Sequence, residues 1–309
     1  MIEIKKTTIS LIIIFLFLMT EVNSNENKIL FKLNNDIITT VDILNEIKFL
    51  SALNKEFDNL DKNKKIEIAK NSQIRQKIKY IEILKFRKNL NLDNDILENI
   101  IKNYFINLKI KDLKEFEAFF EKQNLNTKFV KEKIVTDTLW KSMIYEKFSK
   151  NVTINKNEIK TNIAKMGKQK EYLISEIVFD INEKKELNKK INLIKKTINE
   201  KTFSEAAFTY SISDTSKNGG KLGWVKESML SKIIKNELKS VSVGEFTNTI
   251  VIPGGFLILY VEDIKEVKNE INKEEEIKNI IKKKTNDQLN LFSNIYLNRI
   301  KKTIQINEL

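Results

Sequence analysis

Across residues 29–166 the apolar positions recur at three- and four-residue spacing, the pattern of helices with one buried face. Ile29–Leu33 reads as a short strand that turns at Asn34-Asn35-Asp36, with Ile37-Ile38 as its return. Thr39 stands three residues before Asp42, a capping-box start for a helix to about Leu53 bearing Val41, Leu44, Ile47, Phe49 and Leu50. Further stripes predict helices over Lys64–Leu90, from Asp93 or Asn94 through Phe105, over Lys111–Gln123, and from Thr127 through Phe148. A shorter one, Glu158–Met166, follows the capping residue Asn155. The aromatics of these helices fall on the apolar faces and are expected in the core.

After Gly167 the period changes. Tyr172–Phe179 reads as a strand, Leu187, Ile191, Ile194 and Ile198 as a helix stripe, and Phe203–Tyr210 as a second helix. Leu222–Val225 is a strand and Ser228–Leu238 a helix; Thr247–Ile252 and Phe256–Val261 are strands around Pro253-Gly254-Gly255. The order β-α-α-β-α-β-β predicts a small α+β unit. From Lys273 to about Ile304 the helical period returns, and so long an amphipathic helix must pack on something. The layout expected is a helical region that the tail rejoins, with the α+β unit inserted.

Punctuation supports that division. Six of the seven glycines and the single proline fall between residues 219 and 255. The expected boundaries are a signal peptide over 1–24, a helical domain over 25–168, the α+β unit over 169–266, and a C-terminal helix over 267–309 that completes the helical domain. Lys5 and Lys6, the apolar run Ile9–Met19, and Val22-Asn23-Ser24 make the signal peptide, with cleavage near Ser24. A retained N-terminal anchor is the alternative, against which eleven apolar-rich residues are short for a membrane span.

Charge alters the picture less than its size suggests. The net charge is +13, but only three arginines occur and the lysines are spread along the chain. Solvated helix faces account for them, and nucleic acid is not an expected partner. There is no cysteine and no histidine. Disulfides, Cys or His metal sites, thiol nucleophiles and imidazole bases are therefore excluded. Neither a metal nor a cofactor is expected.

One set of residues carries a family likeness. Phe203-x-x-x-Ala207-x-x-Tyr210-Ser211, Asn218-Gly219-Gly220-x-Leu222-Gly223-Trp224 and Val243-Gly244-Glu245 resemble the signature of parvulin-type peptidyl-prolyl isomerase domains. Leu33-Asn34-Asn35-Asp36-Ile37-Ile38-Thr39 resembles the start of SurA-type periplasmic chaperones, with one parvulin-like domain in place of two. That resemblance implies a multidomain α and α+β fold. It also implies an exported, ATP-independent chaperone for unfolded outer-membrane or secreted polypeptides, without stable membrane insertion after signal cleavage.

The resemblance also exposes departures. Active members carry a histidine on the first strand, where Glu176 stands, and another on the last, where Leu257 stands. The family's Cys/Asp position falls at Ser213, with Asp214 adjacent as a substitute or a turn-stabilising carboxylate. The substrate-contacting positions hold Leu222, Met229, Leu230 and Ile233, of which Met229 and Ile233 fit a core equally well. The implication is a pocket without its polar network and an isomerase that is weak or inactive, the alternative being an active foldase of the bacterial envelope.

Overall fold

The computed structural model describes residues 27–164, 169–181, 183–267 and 273–309. The expected signal peptide and the end of the helix expected over Glu158–Met166 lie outside them. Strand β1 (Ile29–Leu33) pairs antiparallel with β2 (Asp36–Thr39) across the Asn34-Asn35 turn, where Asn34 takes φ 52°. Helix α1 (Thr40–Leu53) begins with the anticipated capping box: Thr39 Oγ1 accepts from Asp42 N–H, and Asp42 Oδ2 accepts from Thr39 N–H at 2.7 Å.

Helix α2 (Lys62–Leu84) stops six residues before its expected end at Leu90. Asn89 Oδ1 accepts from Asn91 N–H, a local turn that competes with helix, and Phe86 is exposed, so no apolar stripe continues past Leu84. Helices α3 (Asn94–Tyr104), α4 (Leu113–Lys122), α5 (Thr127–Phe148) and α6 (Lys156–Ala164) follow. Phe49, Phe105, Phe116 and Phe120 stack in one core with Ile101, Val130 and Ile134.

The inserted unit is a four-stranded antiparallel sheet in the order β4-β3-β6-β5. Its strands are β3 (Gln169–Phe179), β4 (Lys221–Lys226), β5 (Ile250–Ile252) and β6 (Gly255–Val267). Period-two alternation divides the sheet between two layers. Ile177, Phe179 and Ile258 pack against α7 (Leu187–Glu200) and α8 (Phe203–Tyr210). Ile174, Leu257 and Leu259 face the opposite way, towards α9 (Lys232–Leu238). The helix expected over Ser228–Leu238 is broken: Glu227–Met229 form a 3-10 turn, Leu230 is extended, and Ser231 caps a shorter helix through the N–H of Ile234.

Helix α10 (Lys273–Lys301) returns to the N-terminal region. Trp140 Nε1 donates to Ser293 Oγ at 2.7 Å, Tyr296 OH donates to Glu82 Oε1 at 2.7 Å, and Phe148 stacks on Phe292 at 5.3 Å. Beyond the expected helix lies β7 (Ile306–Glu308), which pairs antiparallel with β1 and gives a sheet in the order β2-β1-β7. The first strand and the segment after α10 are thus joined by backbone hydrogen bonds as well as by side-chain packing.

Candidate functional site

A cavity of about 1210 Å³ separates the inserted unit from α6 and α10. Its sheet wall carries Ile174, Glu176, Val178, Leu257 and Leu259, side chains that share one face because strand neighbours alternate. Its opposite wall is helical, with Ile159 and Ile163 on α6 and Ile280 and Leu291 on α10. Met229 joins the two walls by packing into a cluster with Ile159, Ile163 and Ile280.

Three of the four positions singled out for substrate contact line this cavity: Leu222, Met229 and Leu230. Ile233 does not. It is 60% exposed, and Ile234 faces the cavity in its place. Capping by Ser231 starts α9 later than periodicity suggested, and this sets which isoleucine turns inward.

Glu176, Ser213 and Leu257 also converge on the cavity. Glu176 Oε1 accepts from Ser213 Oγ at 2.7 Å and from Thr215 Oγ1 at 2.9 Å. Burial pushes the Glu176 carboxyl above its ordinary range, while these two hydroxyl donors pull it back. Glu176 N–H donates to Gly220 O at 2.8 Å. A Cβ on Gly220 would stand 2.3 Å from the carbonyl oxygen of Glu176, and its φ is +82°, so only glycine allows the turn to pass this close. Leu257 is buried opposite Val178 and offers no polar atom from its side chain.

Asp214 also lines the cavity but is engaged by an ion pair. Its Oδ1 lies 3.5 Å from Lys79 Nζ on α2, and that ammonium holds the carboxyl well below the usual carboxylate range. Beside it, buried Asp137 on α5 meets Lys79 Nζ at 2.9 Å and Lys217 Nζ at 2.8 Å, and accepts from Tyr104 OH at 3.1 Å. Burial alone would raise Asp137; Lys217 and Lys79 outweigh it and keep the carboxyl well below its ordinary value. Arg75 adds a hydrogen bond from its guanidinium to the carbonyl of Ile212. The segment that carries Ser213 and Lys217 is therefore held from the helical side by two cations, Lys79 and Arg75, and one carboxylate, Asp137, none of which was singled out in the sequence.

The inserted unit is fastened at further points. Phe208 on α8 meets Phe57 edge-on at 5.3 Å and enters the helical core. Lys226 Nζ and Ser228 Oγ both reach Glu276 in the first turn of α10, at 2.7 and 2.9 Å. Gly254 in the β5–β6 turn takes φ +82° and lies so close to Leu291 and Ile295 that a Cβ would stand 2.7–2.8 Å from them.

This geometry meets an independent likeness. The family model described as the PPIC-type PPIase (rotamase) domain matches residues 173–263. The inserted unit is a parvulin domain. Similarity to SurA-type chaperones extends beyond it: the chaperone SurA of Pseudomonas putida is 24% identical over 162 residues, 49% of this chain and 38% of that protein. The SurA of Pseudomonas fluorescens strain Pf-5 is 33% identical over 79 residues, 26% of this chain and 18% of that protein. The chain thus spans less than half the length of these curated relatives. Among solved structures, a SurA-like chaperone of Campylobacter jejuni aligns over 92% of this chain and 99% of its own at 16% identity, with a TM-score of 0.35. The chain is thus similar to SurA-type chaperones over part of its length and carries one stretch that matches the parvulin domain model. Among the described residues no helix is long and apolar enough to cross a membrane.

Proposed function

We propose that the protein is an ATP-independent chaperone of the bacterial envelope that holds unfolded outer-membrane or secreted polypeptides, and that its parvulin domain contributes binding surface more than isomerase activity. The observation that carries this reading is the packing of Met229, a position the family uses for substrate contact, among Ile159, Ile163 and Ile280 of the helical domain. The proline pocket and the helices then form one surface. At about 1210 Å³ the cavity exceeds the roughly 300–1,000 Å³ of small-molecule sites and suits a length of chain. Methionine, leucine and isoleucine walls adapt to varied apolar side chains, which suits clients that share no sequence.

The same reading includes isomerase chemistry that is weak or absent. An isomerase must favour the twisted imide electrostatically as well as hold the ring. Here the two histidine positions hold Glu176 and Leu257, and Asp214 is drawn to Lys79.

Leu222 and Met229 are both half-buried on the cavity wall, so polar replacements remove apolar contact without emptying the core. The variant Leu222→Asn with Met229→Asn is expected to need at least about fivefold more protein than wild type to keep an unfolded β-barrel protein in solution. Light scattering after dilution from denaturant reads this. A double variant that melts like wild type and protects equally well contradicts the proposal.

A further inference from the structure

The cavity is apolar at its floor and basic at its rim. Lys232, Lys235 and Lys239 come from α9 and the residue that ends it, and Lys284 comes from α10. Lys235 and Lys284 are half-buried, yet among the described residues none of these four ammonium groups has an ion-pair or hydrogen-bond partner. Burial pushes the Lys235 ammonium below its ordinary range, and the Lys284 and Lys239 charges push it further. Glu227 and Glu158 oppose that shift across space, without contact.

The carboxylates that line the cavity are mostly committed. Asp287 pairs with Lys283 on its own helix at 3.2 Å, Asp214 with Lys79 at 3.5 Å, and Glu176 is held by two hydroxyls. Among the described residues, Glu158 is the one lining carboxylate without such a contact. Like charges gathered on a partly desolvated rim repel one another, and an incoming anion relieves that repulsion.

We infer that the cavity selects polypeptide segments in which carboxylate side chains flank apolar residues. The apolar side chains seat against Leu222, Met229 and Ile280, while Asp or Glu side chains of the client meet Lys232, Lys235, Lys239 and Lys284. This rests on reading the cavity as a polypeptide site. It adds a charge preference, which apolar walls by themselves do not supply.

The test uses the full-length protein and two peptides of about ten residues. They share their apolar residues and an uncharged fluorophore, and differ only in carrying two aspartates or two asparagines. Fluorescence anisotropy at low salt is expected to show the aspartate peptide binding at least about tenfold tighter, as charge-assisted hydrogen bonds exceed neutral ones, and the ratio should shrink as salt rises. The variant Lys232→Gln, Lys235→Gln and Lys284→Gln is expected to bring the ratio below about threefold and to leave asparagine-peptide affinity unchanged. The single variant Lys235→Gln, which perturbs the fold less, should lower the ratio part-way.

A control of equal net charge, Lys114→Gln with Lys122→Gln and Lys128→Gln, alters exposed lysines on and beside α4, outside the cavity, and should keep the tenfold ratio. Equal binding of both peptides by wild type overturns the charge preference alone. Loss of the ratio in the control to the same extent also overturns it, because overall charge then suffices. Absence of binding by either peptide overturns this inference together with the polypeptide-site reading.

Discussion

Asp137→Ala is expected to destabilise the protein by about 3–5 kcal/mol and to lower its melting temperature by about 6–20 °C, because it strands buried cations. In the wild type one carboxylate meets Lys79 at 2.9 Å and Lys217 at 2.8 Å and is itself 2% exposed. Without it, Lys217 loses the Asp137 ion pair, and among the described residues Lys79 keeps only Asp214 at 3.5 Å. Asp214→Ala is the comparison: its side chain is 47% exposed, and the loss should stay under about 1 kcal/mol. Lys217→Met should fall between them, since Asp137 then retains Lys79.

The pH dependence has a definite sign. The folded-state carboxyl of Asp137 lies well below its ordinary value of 3.8. A depressed acid contributes its stability above the unfolded value, near 3.9, and loses it as pH falls through the folded one. The gap between wild type and Asp137→Ala should therefore be constant from about pH 5 to 8 and narrow below about pH 4. Thermal melts across that range test both statements. A variant that melts within about 2 °C of wild type at neutral pH contradicts the assignment of Asp137 as the centre of this contact.

The second large effect concerns catalysis. In a protease-coupled proline-peptide assay the full-length protein is expected to leave the cis-to-trans rate within about twofold of the uncatalysed rate, which is set by an amide barrier of about 18–20 kcal/mol. Losing a preorganised electrostatic contact at a reacting centre costs about 10²–10³ in other enzymes, and here both histidine positions lack an imidazole. Glu176 retains a carboxyl, but it accepts hydrogen bonds from Ser213 and Thr215, and Leu257 has no polar side-chain atom. A clear rate above background that Met229→Ala or Asp214→Ala abolishes would establish a working isomerase and overturn this expectation.

The architecture was largely legible because it rests on period. Apolar spacing gave the helices of the first half, short apolar runs beside turn residues gave β3 and β6, and the glycine cluster gave the inserted unit its turns. The capping box at Thr39 was readable because both partners lie within one helical turn. Strand β7 was not, since Ile306, Asn307 and Glu308 are too few to show alternation, and their pairing with β1 is set by the fold.

The contact between the two units was hidden for a different reason. Lys217 and Asp137 stand 80 residues apart, and no local pattern links them. A partial signal did exist. Lys133 and Asp137 fall on the stripe that also carries Val130, Ile134, Trp140 and Ile144, so charged residues occupy core positions of α5. Such residues must be paired or coordinated, which identifies them as contact points even before their partners are known. Ile233 falls off the cavity wall because a one-residue shift on a short helix moves a side chain by about 100°, and the cap at Ser231 sets that shift.

Site-specific photocrosslinking tests the proposed shared cavity most directly. A photoreactive phenylalanine derivative placed at Met229, on the cavity wall, is compared with one at Ile106, which is 67% exposed and outside it. Each full-length variant is mixed with an unfolded outer-membrane β-barrel protein and irradiated. The account predicts abundant crosslinks from position 229 and few from position 106, with competition by excess unlabelled client. Strong crosslinking from position 106 with none from position 229, in a variant that still suppresses aggregation, contradicts it.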